Sequence, residues 1–140
     1  MRKRICALFF MLFFTALTIF PAMGLEDRAS AQIRSYLTAV TPISSGDLEI
    51  YFLIEGIDIM DELGGEEITV YRHSGKNWVE VASYDYYDEG MVRSDSGTHN
   101  HTIVFDGTAG AEYSVVITIF AQDYDGGYDS RTRTHTVTAK

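Results

Sequence analysis

The sequence predicts an all-β fold: a β-sandwich of seven short antiparallel strands behind an N-terminal signal helix. Three observations carry this reading. Ala111 to Ala121 (AEYSVVITIFA) alternates with period two, placing Tyr113, Val115, Ile117, Ile119 and Ala121 on one face. Glu112, Ser114, Val116, Thr118 and Phe120 fall on the other, so this is a central strand with its first set in the core. The outer set is unusually apolar for a solvent face because it holds Val116 and Phe120. Further short runs rich in β-branched and aromatic residues recur between turn signals, and no long helical period follows residue 24, the pattern of a sandwich.

In chain order, Met1 to Gly24 has the parts of a secretory signal. Arg2, Lys3 and Arg4 precede an apolar run from Ile5 to Phe20, Pro21 ends it, and Ala22-Met23-Gly24 offers small residues for cleavage before Leu25. The run is short against the ~20 residues a membrane span needs. Cys6, the single cysteine, leaves with the signal, so the exported chain is expected to have no disulfide. Its 116 residues are enough to fold on a hydrophobic core. Residues 25–32 read as a flexible segment and 33–140 as one domain.

The first strand runs from Ile33 to Thr41 and stops at Pro42. After the Ser44-Ser45-Gly46-Asp47 turn, Leu48, Ile50, Phe52 and Ile54 alternate with Glu49, Tyr51, Leu53 and Glu55 in a half-buried second strand. Ile57 to Leu63 suits one helical turn before a break at Gly64-Gly65. Ile68 and Val70 mark the third strand, Ser74 to Asn77 a hairpin loop, and Trp78 to Tyr84 the fourth strand. Asp85 to Gly97 reads as a long polar loop. Thr98 to Phe105, Glu112 to Gln122 and Thr132 to Ala139 complete the set.

Three runs, EITVYRHSGKNWVEV, HTIVFDGTAGAEYSVVITIFA and SRTRTHTVTA, resemble the later strands of a fibronectin type III domain, an immunoglobulin-like sandwich. The hairpin Trp78, the Gly-rich approach to Tyr113 and the Thr/Val-rich last strand carry the likeness. It implies that Tyr113 is a tyrosine corner, its hydroxyl bonding to backbone near Asp106–Gly110, and that Trp78 packs in its hairpin. The segment between Phe105 and Tyr113 departs from the usual Leu-x-Pro-Gly form, and the second strand lacks the buried tryptophan of the family. The chain also resembles small single-domain proteins secreted by Gram-positive bacteria. Such a likeness speaks for architecture and little for activity.

Two loops stand out as candidate sites. Tyr84, Tyr86 and Tyr87, with Tyr124 and Tyr128, offer rigid, amphipathic contact area for a glycan or a protein. Asp123, Asp125 and Asp129 surround two glycines and suit a calcium ion, although the order is not that of an EF-hand; the alternative is a plain turn, in which Asp and Gly serve their backbone habits. No other cofactor is expected. His99 and His101 lie at i, i+2 on one strand face, with His73 and His135 as further candidate ligands, against the simpler reading as structural histidines. Asn100-His101-Thr102 matches a glycosylation acceptor. The Thr132/Thr134/Thr136/Thr138 series reads as β-propensity.

Of the 11 Lys and Arg, three leave with the signal, so 8 face all 20 Asp and Glu and the exported chain carries a net charge of −12. That excludes nucleic acid and anionic lipid, which require basic patches. The exported chain has no Gly-x-Ser-x-Gly elbow, no cysteine nucleophile and no His-Glu-x-x-His motif. The sequence therefore predicts a secreted, monomeric, non-enzymatic binding module facing an extracellular protein or glycan. A calcium-assisted carbohydrate-binding module and a surface-associated structural protein are the alternatives.

Overall fold

The computed structural model describes residues 30–140. The expected signal, residues 1–24, and most of the expected flexible segment lie outside the described residues. The described residues are all-β, one curled antiparallel sheet of six strands. These are β1 (Ile33–Pro42), β2 (Leu48–Ser74), β3 (Asn77–Asp85), β4 (Val92–Phe105), β5 (Glu112–Gln122) and β6 (Tyr128–Thr138).

β2, 27 residues long, organises the sheet. Its first part pairs with β1 on one edge and β4 on the other; its last part pairs with β5 and β3. β6 then pairs with β5. Inner side chains from both parts of β2 meet in one core. Leu48, Ile50, Phe52 and Ile54 from the first, and Ile68 and Val70 from the last, join Val115, Ile117 and Ile119 of β5 and Met91. At roughly 1.5–3 kcal/mol per buried side chain, this cluster is the main term holding the curl closed. β1 comes to rest beside β6 through side chains: Thr38 Oγ1 and His135 Nε2 are 2.8 Å apart, and the Arg133 guanidinium lies 5.2 Å from the centre of the Tyr36 ring.

The expected second and third strands are thus one strand, which makes six strands where seven were expected. Neither the helical turn at Ile57 to Leu63 nor the break at Gly64-Gly65 forms. The physical reason lies in the irregularities of β2. Its register shifts against β4 between Glu55 and Met60, and against β5 between Gly65 and Glu67. The buried positions stay even from Ile54 to Met60, turn odd at Leu63, and return to even at Ile68 across the shift between Gly65 and Glu67. Shifts of this kind bend and twist a strand without ending it. Gly64 has φ +152°, and a Cβ there would collide with the Met91 carbonyl oxygen. The glycine pair is a close backbone crossing, sealed by a 2.8 Å hydrogen bond from Gly65 N–H to Met91 C=O.

The other strands begin and end close to the expected positions, with two exceptions: β4 starts at Val92 and shortens the expected polar loop to Tyr86–Met91, and β6 starts at Tyr128, four residues before the expected Thr132, so that Tyr128 and Asp129 lie on a strand. Tyr113 is buried, its ring edge-on to Phe105 at 5.3 Å, and its hydroxyl accepts a 2.8 Å hydrogen bond from Thr108 N–H. Trp78 is half-exposed in the β2–β3 hairpin, 4.8 Å from the ring of His73.

Gly64→Ala is expected to cost about 3 kcal/mol or more, because the added methyl meets backbone at a forbidden φ. Gly75→Ala, at a hairpin tip with nothing within 4 Å, should cost only about 1 kcal/mol, the left-handed backbone term alone. Urea unfolding midpoints of the two variants check the contrast.

Candidate functional site: an aromatic, acidic cleft

An open cleft of about 370 Å³ is lined by Glu62, Glu66, Tyr86, Tyr87, Phe120, Gln122 and Tyr128. Four separate segments supply these residues. Glu62 and Glu66 sit on the bend of β2, where the shift between Gly65 and Glu67 sets Glu66 out of the ladder. Phe120 and Gln122 lie on the outer face of β5, Gln122 opposite both Glu62 and Tyr128. Tyr86 and Tyr87 come from the β3–β4 loop.

That loop is held at both ends. Asp85 N–H donates to the Asp88 carboxylate at 2.7 Å, Tyr87 N–H donates to the Asp85 carboxylate at 2.9 Å, and Asp88 N–H returns to Asp85 C=O at 3.0 Å. Each Asp side chain replaces a backbone partner, as acidic turn residues do. At the far end Met91 is fully buried, and Gly90 C=O accepts a 2.6 Å bond from His99 Nε2–H. His99 and His101 are stacked at 6.5 Å, both edge-on to Phe52. The histidine pair thus packs between core and loop.

The rings form a row. Tyr86 lies 5.8 Å from Phe120, Phe120 lies 5.8 Å from Tyr128 in a stacked pair, and Tyr87 meets Tyr86 edge-on at 5.1 Å. Phe120 is only 3 % exposed, a floor beneath two tyrosines, whereas Tyr87 is 88 % exposed. Both flanking phenols are tied to carboxylates. A hydrogen bond to Glu62, then burial, then the charge of Glu62 push Tyr86 up to about 12. Burial, then a 2.6 Å hydrogen bond to Glu66, push Tyr128 up to about 12. Tyr124 is likewise bonded to Asp95, and this bond is the largest cause of its raised pKa.

Of the five tyrosines singled out in the sequence, Tyr86, Tyr87 and Tyr128 share the cleft. Tyr124 stands outside its lining on the same acidic end, within electrostatic reach of Asp61, as is Tyr86. Tyr84 packs against the core instead, and burial raises its pKa. Phe120, Glu62, Glu66 and Gln122 were not singled out. The one advance signal was the apolar Phe120 on an outer face. The two glutamates fall where a helical turn and a break were expected.

Asp123 to Gly127 form a tight turn, and Tyr128 and Asp129 already belong to β6. Asp123 accepts from the Asp125 and Gly127 N–H groups at 2.9 and 2.8 Å through Oδ1, and from the Gln32 amide at 3.1 Å through Oδ2. The Gln32 bond first, then the Gly127 N–H, hold its carboxyl below the ordinary value. Asp129 pairs with Arg131 at 2.6 Å. Asp123 and Asp129 are therefore committed to local partners, and among the described residues no three His, Cys, Asp or Glu side chains gather to hold a metal ion. His73 and His135 are occupied elsewhere, against Trp78 and Thr38.

Two pH dependences follow. The raised phenol values of Tyr86 and Tyr128 mean that the folded chain keeps protons the unfolded chain loses, so their contribution is intact below pH 10 and disappears as pH rises to about 12. Denaturant midpoints should fall over that window, less steeply in Glu62→Gln/Glu66→Gln. At the other end, burial first and then neighbouring His99 lower the His101 pKa, so its contribution is intact above the ordinary 6.5 and lost as pH falls below it. His101→Phe should flatten that acid limb in the same measurement. No protein-family model matches this sequence, and no curated protein matches it.

Proposed function

We propose that the chain is an exported, non-enzymatic, monomeric binding module built on an immunoglobulin-like β-sandwich of the fibronectin type III kind, and that the aromatic cleft is its ligand site. The observation that carries this is convergence: β2, the β3–β4 loop and the β5–β6 pair bring three rings in a row, the exposed ring of Tyr87 and two carboxylates to one concavity. Concave sites lined by aromatic groups with a few placed polar atoms are the ordinary form of a small-ligand site. The rings are held by the loop bonds at Asp85, Asp88 and Gly90 before any ligand arrives. Pre-formed geometry lowers the ordering cost of binding. Glu62 and Glu66 act as acceptors for phenols in this reading, with no part in bond-making. Export rests on the basic, apolar and small-residue succession of Met1 to Gly24.

The test is a nuclear magnetic resonance screen of the protein against small glycans, amino-acid derivatives and short peptides. Hits should cluster on Tyr86, Tyr87, Phe120 and Tyr128 and weaken about tenfold or more in Tyr86→Ala/Tyr87→Ala, since stacked aromatic contacts dominate such sites. Hits confined to other surfaces, or no hits, would remove the cleft as the site. Turnover of a hit would remove the non-enzymatic reading.

A further inference from the structure

Building on the reading of the cleft as a binding site, we propose that its ligand is an organic cation: an alkylammonium or guanidinium group, whose charge lies against the tyrosine rings and between Glu62 and Glu66. Negative charge stands beside π-faces with no basic residue in the lining to balance it. Four of the seven lining residues are aromatic, two are glutamates, and none is basic. Tyr86 and Tyr128, with pKa values of about 12, remain neutral phenols far above physiological pH. They share hydrogen bonds with the carboxylates but cancel none of their charge. The surroundings add more of the same sign, since Asp61 acts on Tyr86; Asp129, near Tyr128, is paired with Arg131. The whole chain carries a net charge of −9.

Each other ligand chemistry leaves part of this arrangement unused. An anion is repelled by the carboxylates and by the field of the chain. A bare divalent ion needs several converging oxygens and gains little from rings, and among the described residues no such group of three converges. A neutral sugar stacks on tyrosines but leaves both carboxylates without a counter-charge. An organic cation uses both features, because aromatic faces attract it through their quadrupole while the glutamates supply full charges. The space, about 370 Å³, takes a trimethylammonium head or the end of a lysine or arginine side chain.

The experiment titrates the protein with choline, with Nα-acetyl-lysine amide and with Nα-acetyl-arginine amide, following the ring resonances of Tyr86, Tyr87 and Tyr128. The first probe represents a free quaternary ammonium group, the other two a basic peptide. The uncharged control is 3,3-dimethylbutan-1-ol, which has the shape of choline without its charge. The expected result is saturable binding of at least one cation at the cleft, ~tenfold or more tighter than the control, and weakened by NaCl through screening. Glu62→Gln/Glu66→Gln should lose ~tenfold in affinity while keeping acceptor oxygens for the two phenols. If that variant fails to fold, the salt dependence of the native protein carries the same decision. Equal binding of the uncharged control would overturn the inference in favour of a merely apolar pocket. Binding of a neutral oligosaccharide at the cleft with none of the cations would overturn it too, while leaving the cleft as the binding site. Silence from cations and sugars alike would overturn both readings.

Discussion

The close crossing of Gly64 and Gly65 over Met91 is the contact on which the remainder of this structure depends. It allows a single strand to pass from one half of the sheet to the other while both halves keep their backbone ladders. The missing Cβ lets the Met91 carbonyl approach, and the Gly65 N–H converts that approach into a hydrogen bond. Met91, drawn into the core, ends the β3–β4 loop and starts β4. The same crossing therefore closes the core and sets down Tyr86 and Tyr87 beside Phe120. Burying a backbone carbonyl is costly unless it is paired, so the geometry of the crossing is strongly specified.

The cleft lies directly on this bend, and its composition reflects the local irregularity. In a regular β2, strict alternation would hold each glutamate at a ladder position. The register shift around Glu66 frees that side chain to meet Tyr128. Carboxylates placed against phenols stabilise the neutral tyrosines and fix ring orientation, yet they leave the negative charge in place. This network positions the rings while keeping carboxylate charge beside them. It is well suited to a ligand that completes the charge balance.

The segment 123–129 points the other way. There Asp123 accepts from N–H groups of its own loop and from Gln32, and Asp129 pairs with Arg131. Acidic residues between glycines look alike in sequence whether they serve a metal or a turn, because both uses need short oxygen-bearing side chains on flexible backbone. Not all partners of the oxygens are local in sequence: Gln32 lies 91 residues away along the chain.

Local pattern alone determined the all-β class, the extent of β5, the hairpin at Trp78 and the burial of Tyr113, because alternation and turn chemistry act over a few neighbouring residues. It also marked Tyr84, Tyr86, Tyr87, Tyr124 and Tyr128 as ring-bearing loop residues, of which Tyr84 and Tyr128 lie on β3 and β6, and flagged Phe120 as an apolar residue on an outer face. It did not show that Gly64-Gly65 continues a strand, since a glycine pair is an equally good break when nothing crosses it. Nor did it bring Glu62 and Glu66 to those rings, or send Tyr84 to the core. Those outcomes depend on which backbone passes over which, and that is settled only when both halves of β2 close on a common core.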